Sequence, residues 1–170
     1  MTVAEAVSDF LASKGCTHAF GVVGGANLAL FEAIGRKLTV VSTHHEQAAA
    51  ISASYYYRTC GRIAPVLVTA GGGTVNAFTG VMEAHHDSVP CLVLSGNELS
   101  RFFRLGPTRS IGFQGFNPIP IVHYFTKKAH QAVSGQDAVD NLRYLYDLAL
   151  WRRRGAVWLD IPQDIAAGPL

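Results

Sequence analysis

The sequence predicts an α/β protein: a doubly wound, mostly parallel sheet of about six strands flanked by helices. Three observations predict it. Short apolar runs recur along the 170 residues, each followed by a glycine or polar turn. Most of those turns lead into a segment with helical spacing of apolar residues, the strand-to-helix alternation that builds parallel sheets. The apolar share is 49% against 15% charged, which supports one well-cored domain over residues 1–170 and gives disorder no basis.

Residues 2–14 place Val3, Ala6, Val7, Phe10 and Leu11 at helical spacing, and Gly15 supplies the stop. Residues 17–22 read as a strand that breaks at Gly24-Gly25, ahead of a second helical pattern through Leu28, Leu30, Phe31 and Ile34. The same order recurs at 38–42 before a helix opened by Glu46, at 65–69 before Gly71-Gly72-Gly73, and at 90–95 before a long segment. That segment, 96–120, is rich in Gly, Pro and Arg without a clear period, and reads as an extended loop crossing one end of the sheet. A short strand at 125–130 follows, then a helix at 136–154 with Ala138, Leu142, Leu145, Leu148 and Ala149 on one face. A strand at 156–161, stopped by Pro162, closes the sheet.

The formal charge of +2 is too small for a nucleic-acid footprint. Arg152-Arg153-Arg154 falls at the end of the 136–154 helix and reads as a cap. No apolar stretch approaches the ~20 residues that span a bilayer. Met1 leads directly into an amphipathic pattern, so no membrane contact is expected and the expected location is cytoplasmic. Cys16, Cys60 and Cys91 are odd in number, widely spaced and set in apolar segments, which predicts buried thiols instead of disulfides or a zinc site.

Glu46 ends an apolar strand and opens a small-residue helix, where α/β proteins keep ligand chemistry. Taken alone it reads as a first-turn acid that favours the helix dipole. Gly71, Gly72 and Gly73 follow a strand and would either let backbone amides approach a ligand or simply form a turn. Gly21-Val22-Val23-Gly24-Gly25 has the wrong spacing for a dinucleotide fingerprint, and no Gly-Lys-Ser/Thr completes a phosphate loop, which disfavours a nucleotide-binding module. His45-Glu46-Gln47-Ala48-Ala49 lacks the second histidine of a zincin, and His44-His45 and His85-His86 are adjacent pairs, so a metal site is disfavoured. The stripe Ala49, Ala50 and Ala53 permits close helix packing, inside the domain or against another chain.

Read together, Phe20-Gly21-Val22-Val23-Gly24-Gly25, His45-Glu46-Gln47-Ala48-Ala49, Thr69-Ala70-Gly71-Gly72-Gly73-Thr74-Val75-Asn76-Ala77 and Asp87-Ser88-Val89-Pro90 resemble one family in order and spacing. It is the N-terminal, pyrimidine-binding domain of the acetolactate synthase-like thiamine diphosphate enzymes. Gly112-Phe113-Gln114 and Trp158-Leu159-Asp160-Ile161-Pro162-Gln163-Asp164 resemble its later segments. Val23 and Gly72 stand where the family commonly has proline, and Gly115 where it commonly has an acid.

The resemblance implies thiamine diphosphate as cofactor, with Glu46 hydrogen-bonded to N1′ of its aminopyrimidine as the catalytic acid. It implies that Gly24 and Gly25 let the chain pass close to the cofactor, that Gly71, Gly72, Gly73 and Asn76 line the pyrimidine pocket, and that Phe113 and Gln114 face the substrate. His44, His45, His85 and His86 receive no role. In that family the diphosphate and its Mg²⁺ are held by a further domain with a Gly-Asp-Gly segment, which this sequence lacks. Either the sequence is a fragment of a longer chain or, as the preferred expectation, it belongs to a split enzyme: a pyrimidine-binding subunit in an α2β2 heterotetramer, active only with a diphosphate- and Mg²⁺-binding partner subunit. Its reaction would decarboxylate a 2-keto acid and transfer the acyl unit to a carbonyl acceptor. The alternatives are a sulfopyruvate or phosphonopyruvate decarboxylase-like subunit and a non-catalytic interaction domain of the same fold.

Overall fold

The computed structural model describes residues 1–104 and 109–170. In chain order the main elements are α1 (Val3–Ser13), β1 (His18–Gly21), α2 (Leu28–Gly35), β2 (Thr39–Ser42), α3 (Glu46–Cys60), β3 (Val66–Val68), α4 (Gly72–His86) and β4 (Cys91–Asn97). They continue as α5 (Ile119–Val122), β5 (Lys128–Gln131), α6 (Gly135–Leu150), β6 (Ala156–Pro162) and α7 (Gln163–Ala167). The six strands form one sheet in the order β2-β1-β3-β4-β6-β5, and every neighbouring pair is parallel. This is the doubly wound α/β architecture that the alternation of strand and helix patterns predicts.

Period-two side-chain alternation divides the core between the two faces of the sheet. Leu67, Leu92, Leu94, Val157, Leu159 and Ile161 pack with α1, α2 and α6 through Val7, Leu11, Leu30, Ile34, Leu142 and Leu145. Their neighbours Val66, Val68, Cys91, Val93, Ala156 and Trp158 face α3 and α4, through Ala49, Ala50, Ala53, Ala77 and Val81. The alanine stripe of α3 is therefore spent inside the fold. A Cβ on Gly80 would lie 2.7 Å from the Ala50 Cβ, so the two helices meet at van der Waals contact.

Local chemistry fixes the helix ends. Thr2 and Glu5 form a reciprocal capping box on α1, an arrangement worth ~1 kcal/mol. The helix expected to reach residue 154 stops at Leu150, so the arginine run lies in the turn beyond it. The cation on the last carbonyls of α6 is Lys127, whose Nζ donates to Leu148 O at 2.5 Å and Trp151 O at 2.6 Å. Arg153 instead donates to Ser88 Oγ at 2.9 Å and to His86 O, the end of α4, at 3.4 Å. Arg153 thus serves a helix other than the one it follows.

Other expectations shift at their edges. The strand foreseen at 125–130 starts at Lys128 because α5 and a 3-10 turn over His123–Phe125 occupy the approach to it. The loop foreseen at 96–120 begins after Asn97, holds a 3-10 turn at Ser100–Arg104 and an antiparallel bridge between Ile111 and Gly115, and ends in α5; its residues 105–108 lie outside the described residues. Cys16 and Cys91 are buried free thiols, but Cys60 is exposed, because it is the last residue of α3 and lies where the helix ends. No helix among the described residues is long and apolar enough to cross a membrane.

Candidate functional site

Neighbouring strands β1 and β3 send their following helices, α2 and α4, to opposite faces of the sheet. This divergence opens a crevice at the carboxyl ends of the two strands, where doubly wound folds bind ligands. Five residues from four segments meet there: Gly24 after β1, Glu46 at the start of α3, Thr69 after β3, and Gly73 and Asn76 in the first turns of α4.

Glu46 is 7% exposed, and two neighbours set its carboxylate. Asn76 Nδ2 donates to Oε2 at 3.0 Å. A Cβ on Gly73 would lie 2.9 Å from Oε1 and 2.9 Å from Thr69 Cγ2, so glycine there is what admits both side chains. The helix start that carries the acid is capped by His45, whose Nδ1 accepts from Gln47 N at 3.2 Å. A capping role thus accounts for one of the four histidines.

Thr69 was not singled out from sequence, yet its side chain occupies the middle of this cluster. A Cβ on Gly24 would lie 2.5 Å from Thr69 Oγ1, so Gly24 makes room for this threonine first of all. Thr69 Oγ1 is buried without a hydrogen-bond partner among the described residues, an arrangement that is costly unless a ligand atom completes it. Gly25 and Gly72 differ, since a Cβ on either would meet nothing within 4 Å. Their backbones border open space.

The structure places Gly71, Phe113 and Gln114 beside this cluster, at the 111–115 loop. Gly71 has φ +72°, and a Cβ there would sit 2.6 Å from Gln114 O. Gln114 Nε2 donates to Ala70 O at 3.4 Å, which ties the loop to the end of β3. Phe113 is 93% exposed.

Behind the loop runs a polar network that sequence reasoning missed. Asp160 is fully buried and accepts from Ser95 Oγ at 2.5 Å, Asn97 Nδ2 at 2.8 Å and Gln131 Nε2 at 2.8 Å. Trp158 Nε1 donates to Ser95 Oγ at 2.7 Å and closes the group. Burial pushes the Asp160 carboxyl up to about 6, against the opposing pull of its three donors. The available signal was a carboxylate inside the otherwise apolar run of β6. His85 is held below the ordinary imidazole range by burial and then by the nearby His86, Arg153 and Lys127 charges. Among the described residues no group of three or more His, Cys, Asp or Glu side chains could hold a metal ion.

Comparison with known proteins assigns the chain to a family. Residues 1–116 match the family described as thiamine pyrophosphate enzyme, N-terminal TPP binding domain, and the chain belongs to that family. It is 33% identical over 163 residues to the acetolactate synthase large subunit of Haemophilus influenzae, covering 95% of this chain and 28% of that protein. A probable acetolactate synthase large subunit of Methanocaldococcus jannaschii is 32% identical over 174 residues, covering 100% of this chain and 28% of that protein. The corresponding subunit of Lactococcus lactis is 34% identical over 167 residues, again with 95% and 28% covered. The chain therefore spans little more than a quarter of the length of the curated relatives it matches.

Proposed function

We propose that residues 1–170 act as one pyrimidine-binding unit of an acetolactate synthase-like carboligase, which decarboxylates a 2-keto acid and passes the acyl unit to a carbonyl acceptor. The observation that carries this reading is the nearly buried Glu46 carboxylate, held by Asn76 and Gly73 in the switch-point crevice. The family match ends at residue 116, and the pairing of β5 and β6 in the same sheet supports reading residues 1–170 as one unit.

The residues suit an aminopyrimidine ring. Glu46 offers a proton on Oε1 to a ring nitrogen while Asn76 fixes Oε2. The unpartnered Thr69 hydroxyl offers a further polar contact, and the open backbones of Gly25 and Gly72 permit close approach. Thiamine diphosphate, when bound, supplies the nucleophilic carbon and electron sink that the reaction requires. Gln114 and Phe113 stand on the substrate side, where an exposed aromatic would be covered by substrate or partner.

The diphosphate and Mg²⁺ call for oxygen ligands, and since no group of three or more His, Cys, Asp or Glu among the described residues could hold a metal ion, a second, diphosphate-binding subunit in an α2β2 assembly supplies them in our reading. Exposed Ile51, Tyr55, Val75 and Met82 on α3 and α4 support an apolar contact on that side. The test is calorimetry and turnover with thiamine diphosphate and Mg²⁺, on this chain alone and with a co-expressed diphosphate-binding subunit. Activity is expected only in the pair, and Glu46→Gln should then lose ~2 to 4 powers of ten in rate. Tight binding and turnover by the chain alone would sink the split-enzyme part. Near-normal turnover by Glu46→Gln would sink the assignment of the acid.

A further inference from the structure

We propose that Glu98 is a positioning residue that holds the 111–115 loop closed and so sets where Gln114 meets the substrate; the inference rests on the substrate-side reading of Gln114. Glu98 directly follows β4 and is 5% exposed, although a carboxylate gains nothing from burial unless it is held. The loop wraps around it. Gln114 N donates to Glu98 Oε1 at 3.2 Å. Gly112, at φ +61°, faces Oε2 so closely that a Cβ would lie 2.6 Å away, and a Cβ on Gly115 would lie 2.5 Å from Glu98 Cγ. Ile111 and Gly115 close the ring around the side chain with two backbone bonds, at 2.8 and 2.9 Å.

The base of this clamp is rigid. Asn97 Oδ1 accepts from Glu98 N at 2.9 Å, while Asn97 Nδ2 donates to Phe116 O at 3.0 Å and to the buried Asp160 at 2.8 Å. The centre of the sheet is thereby joined through Asn97 and Glu98 to the amide of Gln114. On its other side, Gln114 rests on Ala70 O and the bare Cα of Gly71. A side chain held at both its backbone and its tip loses little further freedom when substrate arrives. Glu98 meets Asn97, Gln114 and the loop glycines, and its effect passes through Gln114.

The test combines two readouts. Amide hydrogen exchange at Gln114 is measured on the full chain, and KM and kcat for the 2-keto acid on the assembled enzyme. Glu98→Ala removes the acceptor and should speed exchange at Gln114 about tenfold, the equivalent of one lost hydrogen bond. It should also raise KM more than it lowers kcat. Glu98→Gln keeps an acceptor oxygen and nearly the same volume, and should restore both quantities to within about threefold of the parent. Gly112→Ala pushes the loop off an intact Glu98 and should reproduce the exchange change, which keeps the test decisive where Glu98→Ala does not fold. Unchanged Gln114 exchange in Glu98→Ala and Gly112→Ala, or a Glu98→Gln variant as impaired as Glu98→Ala, would overturn the proposal. The exchange readout stands whether or not the pair turns over, so failure of the clamp and failure of the carboligase reading are separable.

Discussion

Asn76 and Glu46 are joined by a single hydrogen bond of 3.0 Å between residues thirty positions apart, and that bond is where α3 and α4 meet at the crevice. Because the donor is an amide and the acceptor a nearly buried carboxylate, the pair depends on the one N–H. Leaving a buried acceptor without its donor costs ~1 to 3 kcal/mol. Asn76→Ala should therefore lower turnover of the assembled enzyme by about ten- to a hundredfold. Asn76→Asp should be worse, since it sets a second carboxylate against the first. Steady-state kinetics on both variants checks the order, and a fully active Asn76→Asp would contradict the geometry.

Replacement of Gly71 is costly on structural grounds, because this glycine combines φ +72° with the close approach of Gln114 O. A backbone held in so sparsely populated a region costs an alanine ~1 to 3 kcal/mol. Gly71→Ala should lower the melting temperature by roughly 3 to 8 °C, measured by differential scanning calorimetry. Gly25→Ala is the control, with nothing within 4 Å of the added methyl, and should shift it by less than about 2 °C.

Asp160 predicts a pH dependence of stability. Its carboxyl titrates near 6 in the fold against an ordinary 3.8, so the folded protein holds the proton more tightly than the unfolded chain. The sign follows: this contribution is complete below about pH 4 and is lost as the pH rises through 6, amounting to ~3 kcal/mol. Denaturant midpoints between pH 4.5 and 7.5 should fall accordingly. Asp160→Asn should flatten that slope while lowering stability overall, because its amide cannot accept from all three donors. A slope unchanged in the variant would assign it to other groups.

The three thiols should divide by exposure. Burial pushes Cys16 up to about 11 and Cys91 up to about 12, whereas Cys60 is exposed at the end of α3. A thiol reagent at neutral pH should label Cys60 within minutes and the other two only in denaturant. Mass mapping of the labelled sites decides it, and rapid native labelling of Cys91 would contradict the packing of β4.

The chain order of the six strands was legible in the sequence, as was the placing of Glu46 at a strand-to-helix junction, because both rest on local periodicity and turn chemistry. Glu46, Gly73 and Asn76, chosen by resemblance, do come together, although thirty positions of chain separate the acid from its amide. Only the tertiary structure decided the rest. Strand order, and with it the crevice between β1 and β3, depends on which helix crosses which face, and no local window of sequence contains that choice. Thr69, Glu98 and Asp160 likewise gain their meaning from partners elsewhere in the chain: a glycine from each of two segments, a loop wrapped around a carboxylate, and three donors from two other strands. The alanine stripe of α3 and the arginine run after α6 read the same in sequence whether they face the core, a partner or a neighbouring helix. Packing sends the first onto α4 and the sheet, and Arg153 of the second onto the end of α4, because burial and hydrogen-bond satisfaction are settled by the whole fold and not by the segment.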